Sequence, residues 1–175
     1  MNKSDNFRVL TMTQPDTENG KGCRVTVWCA GCSHHCPGCH NQHTWDYNQG
    51  SLLINDDVKQ RIYNAASKEY IQGITFSGGD PLDQSHQALT ELYMFITEFK
   101  HDFPEKDIWI YSGDYFENLK NSRIVRKILS KCDVLVDGPF MKDLYDPDLS
   151  FRGSRNQRII YLKNPVITAQ LTGIG

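Results

Sequence analysis

The segment Gly73-Ile-Thr-Phe-Ser-Gly-Gly-Asp-Pro81 predicts the fold, because it joins a short apolar strand to a glycine-rich loop. The strand candidate is Gly73–Phe76, and an amphipathic helix follows the loop. Apolar residues recur on that helix at helical spacing, namely Leu89, Leu92, Tyr93, Ile96 and Phe99. A strand, a loop and a helix in this order form the first part of a βαβ unit.

The same order of elements recurs on both sides of this segment. Further strand candidates are Cys23–Trp28, Asp107–Tyr111, Asp133–Val136 and Gln157–Leu162, and further helix candidates begin near Asn55 and include Ile124–Leu129. Strands that alternate with helices indicate an α/β fold with a parallel sheet. A complete eight-unit barrel needs about 250 residues, and about five strands are recognisable here. We therefore expect an open, partial parallel β/α barrel or a curved doubly wound sheet.

The whole chain is expected to form one domain over residues 1–175. A polar lead-in over about 1–20 and a C-terminal tail over about 163–175 are expected to flank the regular elements. The net charge of −2 and the pI near 6.3 give no electrostatic basis for binding nucleic acid. No apolar run is long enough to span a membrane, and the first residues lack the apolar core of a signal peptide. We therefore expect a cytoplasmic protein, in whose reducing environment clustered cysteines are metal ligands or catalysts.

The candidate strands end in loops rich in Gly, Asp, Ser or Cys, and ligands of parallel α/β folds bind at those strand ends. The first such loop is Cys29-Ala-Gly-Cys-Ser-His-His-Cys-Pro-Gly-Cys39. A structural zinc site is one interpretation, because the loop contains two Cys-x2-Cys pairs. The pairs are much closer together than in common zinc modules, which separate them by about 12–20 residues.

An iron–sulfur cluster is the favoured interpretation of this loop. Cys29 continues the alternation of the preceding strand, which leaves Cys32, Cys36 and Cys39 as the candidate ligands. Three thiolates on one short loop suit three irons of a 4Fe–4S cube better than one tetrahedral ion. The fourth iron would keep an open position, and an open position on a metal is where a substrate binds.

The pattern Cys32-x3-Cys36-x2-Cys39 resembles the signature of radical S-adenosylmethionine (SAM) enzymes. Ser77-Gly-Gly-Asp-Pro81 resembles the glycine-rich segment of that superfamily, which contacts the amino group of SAM. The resemblance implies one 4Fe–4S cluster and SAM as cofactors. It also implies reductive cleavage of SAM to methionine and a 5′-deoxyadenosyl radical. By the same resemblance, Gly78, Gly79 and Asp80 are SAM-binding residues.

A narrower resemblance covers the chain from about Gly20 to Leu162. Five ordered segments carry it: Gly31-Cys-Ser-His-His-Cys-Pro-Gly-Cys-His-Asn41, Ser77-Gly-Gly-Asp-Pro-Leu82, Asp107-Ile-Trp-Ile-Tyr-Ser-Gly113, Val134-Leu-Val-Asp-Gly-Pro-Phe140 and Phe151-Arg-Gly-Ser-Arg-Asn-Gln-Arg158. They resemble the activating proteins of anaerobic ribonucleoside-triphosphate reductase. The resemblance implies that the partner is the large reductase subunit, in which a glycine becomes a glycyl radical. It also implies a flavodoxin-like or other low-potential electron donor.

The remaining site residues follow from this resemblance and from position in the sheet. Backbone near Gly38 and His40 is expected to meet the adenine of SAM, because Gly38 replaces the aromatic residue of many superfamily members. Ser112, at the end of a strand, is a candidate ligand for ribose or the methionine carboxylate, with a simple turn as the alternative. Asp137 is expected to line the site by the same logic. The polar, basic segment Arg152–Arg158 is expected to face SAM or the partner, as the resemblance favours, with a solvated loop as the alternative. The other cysteines, Cys23, Cys29 and Cys132, are interpreted as packing residues.

Two alternatives remain open from the sequence. A radical SAM enzyme could act on another glycyl-radical enzyme or on a small molecule, and the cysteine loop could belong to a zinc-binding interaction module without catalysis.

Overall fold

A computed structural model describes residues 2–172 of the chain. Its strands are β1 Arg8–Asp16, β2 Arg24–Cys29, β3 Ser51–Leu52, β4 Gly73–Gly78, β5 Asp107–Tyr111, β6 Val134–Asp137 and β7 Arg158–Tyr161. Its α-helices are α1 Asp56–Ala66, α2 His86–Asp102, α3 Phe116–Leu119, α4 Arg123–Lys131 and α5 Pro165–Thr172. The end of the expected C-terminal tail, residues 173–175, lies outside the described residues.

The strands form one seven-stranded sheet with the order β3-β1-β2-β4-β5-β6-β7. The central strands β2, β4, β5 and β6 are parallel, whereas β1, β3 and β7 pair antiparallel with their neighbours. The edge strands β3 and β7 do not pair with each other, so the sheet is not closed. The α/β class and the open sheet are as expected, but the expectation of a wholly parallel sheet is wrong.

The outer strands explain the difference from the expected fold. Strand β1 lies inside the stretch that was expected to be a polar lead-in, and most of its residues are partly or fully exposed. An antiparallel strand near a sheet edge needs only a few buried side chains, so its sequence resembles a loop. The central strands β2, β4 and β6 are buried almost throughout, which made them recognisable.

The helices cover one face of the sheet. Residues that alternate along the central strands, such as Val27, Phe76 and Ile110, join the main apolar core together with Leu92 and Ile96 of α2. The predicted start of one helix is confirmed, because the side chain of Asn55 caps α1. The side chain of Ser85 caps α2 in the same way.

The opposite face of the sheet carries a smaller apolar cluster. Trp109, Val134 and Val136 form it, and Tyr111 and Phe151 pack against it. Phe151 belongs to the long connection between β6 and β7, so this connection covers part of the face without helices. Among the described residues, no helix has the length and apolar content that crossing a bilayer requires.

Candidate functional site

A cavity of about 440 Å³ lies at the carboxyl ends of the parallel strands. Each of the four loops contributes to its wall, with Cys32 after β2, Gly79 after β4, Gly113 after β5 and Gly138 after β6. Small-molecule sites commonly have volumes of about 300–1,000 Å³. The structure therefore brings together the loops that were expected to form the site.

The three candidate ligands of the cysteine loop all lie on the cavity wall. Cys32, Cys36 and Cys39 are each partly exposed to it. Backbone hydrogen bonds hold the loop in place. The N–H of Cys32 donates to the carbonyl of Trp45, in the segment after the loop, at 3.2 Å. The N–H of Cys39 donates to the carbonyl of Cys36 at 3.1 Å, which makes a tight turn between these two thiols.

This donor set fits an iron–sulfur cluster. Thiolates are the usual ligands of such clusters, and one loop supplies three of them to one cavity. Within residues 2–172, no three His, Cys, Asp or Glu side chains lie close enough together to hold a single metal ion. Three thiolates on one cavity wall can each bind a different iron of a 4Fe–4S cube.

Burial raises the pKa of two of these thiols, Cys32 and Cys36. It raises the pKa of Cys32 to about 12, and the carboxylates of Asp80 and Asp83 contribute to the increase. Burial also raises the pKa of Cys36 above its ordinary value. A thiolate is the form that binds metal, so metal binding at these residues must release protons.

Cys29 differs from these three thiols in its surroundings. Its side chain is fully buried in the main core, and its Sγ donates to the carbonyl of Ser77 at 3.0 Å. Cys132 is also fully buried, and Cys23 packs partly buried against the same core. These positions are consistent with the interpretation of all three as packing residues.

The glycine-rich loop after β4 lies directly against the cysteine loop. The N–H of Gly79 donates to the carbonyl of Cys29 at 2.9 Å, and the N–H of Asp80 donates to that of Gly31 at 2.8 Å. A Cβ on Gly79 would lie 2.4 Å from the carbonyl oxygen of Gly31. Gly78 has a φ of +103°, which residues with side chains rarely adopt. Both glycines are therefore required for the close contact between the two loops.

The carboxylate of Asp80 connects three of the loops around the cavity. The side chain is 1% exposed. Its donors are the N–H groups of Leu82 (2.8 Å), Asp83 (3.2 Å) and Gly113 (2.8 Å), the Oγ of Ser112 (2.9 Å) and the Nε2 of His34 (2.8 Å). Protein donors thus already bind both oxygens. A SAM ammonium that reached this carboxylate would have to share it with them.

A second carboxylate, Asp83, fixes the beginning of the cysteine loop. It accepts hydrogen bonds from the N–H and Oγ of Ser33 at 2.7 and 2.6 Å and from the hydroxyl of Tyr47 at 2.6 Å. The ammonium of Lys3 also binds it. Burial alone would raise the pKa of Asp83, but these hydrogen bonds outweigh it and lower the pKa to about 2.

Three further residues that were predicted to bind SAM, Ser112, His40 and Gly38, differ in their positions relative to the cavity. Ser112 lies on the cavity wall, but its hydroxyl donates to Asp80. His40 lies on the wall, with its ring 5.4 Å from that of Phe140 and 5.7 Å from that of Tyr145. Gly38 is exposed and lies beside Lys142 instead of on the wall, so its contact with adenine stays a prediction.

The expectation that Asp137 lines the site is wrong, because the wall of the cavity does not include this residue. This carboxylate is fully buried and accepts hydrogen bonds from the N–H of Phe116 at 2.7 Å and the Nε of Arg158 at 2.9 Å. It is the last residue of β6, and side chains of successive strand residues point to opposite faces. Its side chain therefore points away from the face that carries the preceding residue, Val136.

The sequence analysis did not identify several residues of the wall. Tyr111, Phe140 and Tyr145 line the cavity. Arg152 also lines it, within the polar segment Arg152–Arg158 for which the family resemblance favoured a functional role. The aromatic residues gave no local signal, because their spacing along the chain is irregular.

An open α/β sheet with three cysteines of one loop on a cavity wall is the arrangement expected of an iron–sulfur protein of the α/β class. Comparison with known proteins agrees, since the family model of the 4Fe-4S single cluster domain matches residues 18–160.

Comparison with individual proteins narrows the class. The chain is 41% identical over 145 residues to the anaerobic ribonucleoside-triphosphate reductase-activating protein of Enterobacteria phage T4, covering 82% of this chain and 87% of the relative. The proteins of the same name from Pasteurella multocida and Escherichia coli K12 are 40% and 36% identical, covering 83% and 85% of this chain and 91% and 94% of theirs. The chain belongs to the family of anaerobic ribonucleoside-triphosphate reductase-activating proteins.

Proposed function

We propose that this protein is a radical SAM enzyme that generates the glycyl radical of anaerobic ribonucleoside-triphosphate reductase. One observation carries the proposal: Cys32, Cys36 and Cys39 line a single cavity, whereas Cys29 is buried and bonded to backbone. The names of the relatives supply the target reductase. The proposed architecture is the partial barrel of radical SAM proteins, as a single domain over residues 1–175.

The cluster ligands of this proposal are Cys32, Cys36 and Cys39. When bound, a 4Fe–4S cluster would supply the electron for cleaving SAM, and the resulting deoxyadenosyl radical would take a hydrogen atom from a glycine Cα of the reductase. The chain itself needs no acid or base for this step, because the cofactors carry the chemistry and the protein positions them.

The protein's contribution is the shape of the cavity. Gly78 and Gly79 line the cavity and let the glycine-rich loop pack against the cysteine loop, because a Cβ on Gly78 would lie 2.9 Å from Cys29 and one on Gly79 would lie 2.4 Å from Gly31. Asp80 and Ser112 hold the loops after β4 and β5 together through their hydrogen bond of 2.9 Å. His40, packed against Phe140 and Tyr145, offers an aromatic surface for the adenine ring.

The proposed substrate is a polypeptide segment of the large reductase subunit. Because the sheet does not close into a barrel, its open side leaves room for a polypeptide segment to approach the cavity. A flavodoxin-like or other low-potential protein is the proposed electron donor, because the cluster potential must lie toward the low end of about −700 to +450 mV. The proposed location is the cytoplasm, with neither nucleic acid nor membrane as a partner.

Anaerobically reconstituted protein tests the proposal. Iron and sulfide should be present at about four each per chain, and reduction in the presence of SAM should release 5′-deoxyadenosine. Addition of the reductase should give a glycyl radical signal in electron paramagnetic resonance. Stoichiometric zinc without iron would instead support an interaction module. Cleavage of SAM without a radical on this reductase would indicate another substrate.

Two cysteine variants test which thiols bind the cluster. Cys36→Ala should abolish SAM cleavage, whereas Cys29→Ala should retain the cluster, because its thiol is buried in the core. The absorbance of the cluster and its iron content measure the difference. Equal loss of iron from both variants would contradict the ligand assignment.

A further inference from the structure

The cavity has one strongly basic side chain, Arg152. Among the described residues that line the cavity, it is the one Lys or Arg, whereas the acids there are Glu18, Asp80 and Asp146. Arginine keeps its charge throughout the accessible pH range, and its planar guanidinium matches the geometry of a carboxylate. A single fixed cation on a cavity wall is a candidate binding group for an anionic part of a ligand.

Arg152 has hydrogen-bonding capacity that the protein does not use. Its Nη1 donates to the carbonyl of Gln157 at 2.8 Å. Its Nε is buried and has no hydrogen-bond partner. The bond to Gln157 uses one of the five N–H groups of the guanidinium, and Arg152 lines the cavity, so further donors of this side chain can serve a carboxylate. A buried donor without an acceptor is unfavourable, so a ligand that supplies the acceptor gains affinity.

The residue before this arginine has an unusual backbone conformation. Phe151, the preceding residue, has a φ of +62°, which is rare for a bulky side chain. The hydroxyl of Tyr111 donates to the carbonyl of Phe151 at 2.7 Å, and the ring of Phe151 packs edge-on against Trp109 at 5.4 Å. Non-glycine residues with such backbone angles are concentrated at binding and catalytic sites.

The residues after Arg152 are fixed as well. Gln157 uses its side-chain oxygen to accept from the N–H groups of Gly153 at 2.9 Å and Ser154 at 3.1 Å. Its side-chain amide donates to the carbonyl of Gly138 at 3.1 Å, which connects this turn to the loop after β6. The guanidinium is therefore positioned before a ligand arrives, so less entropy is lost on binding.

We propose that Arg152 binds the carboxylate of the methionine moiety of SAM and so orients the amino-acid end of this cosubstrate in the cavity. The assignment rests on the proposed function and names the residue that recognises the carboxylate. Arg152 and the three cysteines line the same cavity. A carboxylate has about four lone-pair sites, so it can accept from a guanidinium and bind a metal at the same time.

The test is a binding experiment with two proteins and two ligands. Reconstituted wild-type protein and Arg152→Gln are titrated by calorimetry, under anaerobic conditions and without reductant, with SAM and with decarboxylated SAM. Loss of a charged hydrogen-bonded pair should weaken the binding of SAM by about 10- to 100-fold. Decarboxylated SAM lacks the group that Arg152 binds, so its affinity should differ by less than about threefold between the two proteins.

Arg155→Gln is the matched control. Arg155 lies on the same segment, but its side chain is exposed and does not line the cavity. The affinity of this variant for SAM should equal that of the wild type. Arg152→Lys retains the charge but not the paired donors, so it should recover part of the affinity. Iron content and circular dichroism establish that each variant is folded and loaded before titration.

The possible outcomes separate the two proposals. An equal loss of affinity for both ligands in Arg152→Gln would overturn the carboxylate assignment while leaving the proposed function intact. Unchanged SAM affinity with weakened binding of the reductase would also overturn it and would assign Arg152 to a carboxylate of the partner. If cluster-loaded wild-type protein did not bind SAM, the proposed function and this assignment would both fail.

Discussion

The substitution Asp80→Asn tests whether one carboxylate holds the cavity loops together. An asparagine has the same shape, but one of the two oxygens becomes an NH2 group. If that group faces Gly113, two donors oppose each other where Oδ2 now accepts from the Gly113 N–H at 2.8 Å. If the amide is flipped, its NH2 group instead faces the N–H groups of Leu82 and Asp83. At least one buried backbone donor loses its acceptor in either orientation.

The cost follows from these contacts. A buried donor without an acceptor costs about 1–3 kcal/mol, and the remaining hydrogen bonds lose their charge assistance. We expect the free energy of unfolding to fall by about 2–4 kcal/mol in total. For a chain of 175 residues, this corresponds to a decrease in Tm of about 5–15 °C.

Urea unfolding of the full-length chain under anaerobic, reducing conditions measures the change. Asp146→Asn is the control, because Asp146 lies on the same cavity wall but its carboxylate accepts only a local bond from Asp148 at 3.1 Å. That substitution should change stability by less than about 0.5 kcal/mol. Equal midpoints for Asp80→Asn and the wild type, with equal slopes, would refute the role of Asp80 as the connection between the loops.

Three further predictions concern stability. Gly79→Ala should destabilise the fold by about 1–3 kcal/mol and lower cluster retention, because the new Cβ would lie 2.4 Å from the carbonyl oxygen of Gly31. Iron content after gel filtration measures the retention of the cluster. An iron content equal to that of the wild type would contradict the close contact between the two loops. Leu92→Ala should cost about 2–5 kcal/mol, since Leu92 is fully buried, whereas Met94→Ala, at a residue 64% exposed, should change the urea midpoint little. The pKa of Asp83 is lowered from 3.8 to about 2 in the folded chain. Its carboxylate therefore contributes fully to stability above pH 3.8, and this contribution is lost as the pH falls toward 2. The difference in urea midpoint between the wild type and Asp83→Asn should therefore shrink between pH 6 and pH 3, and a constant difference would argue against the hydrogen bonds to this carboxylate.

The central part of the fold could be predicted from the sequence. Strands β2, β4, β5 and β6 each carry apolar residues on a face that helices cover, so their local patterns are strong. The caps at Asn55 and Ser85 mark helix starts by short-range chemistry. Strand β1 was missed because an exposed antiparallel strand has little apolar signal, and strand direction depends on how distant segments pair.

In the candidate site, too, some features could be predicted from local sequence and others depend on distant segments. Sequence spacing predicted Cys32, Cys36 and Cys39 as cluster ligands, a local motif predicted roles for Gly78 and Gly79, and the structure places all five on one cavity wall. The unused hydrogen-bonding capacity of Arg152 could not be predicted. It depends on a hydrogen bond to Gln157 and on the packing of Phe151 against a distant strand.

The sequence alone determined which residues carry thiol groups on one short loop and where each parallel strand ends, because those properties depend on residue type and on near neighbours. The tertiary structure decided which of these groups remain available to a ligand. Binding of SAM by Asp80 stays a prediction, and the folded chain directs donors from three loops onto this carboxylate. Arg152 keeps unused donors because its surroundings satisfy only part of its guanidinium. Hydrogen-bonding capacity is set by residue type, but its saturation depends on neighbours that only folding brings together.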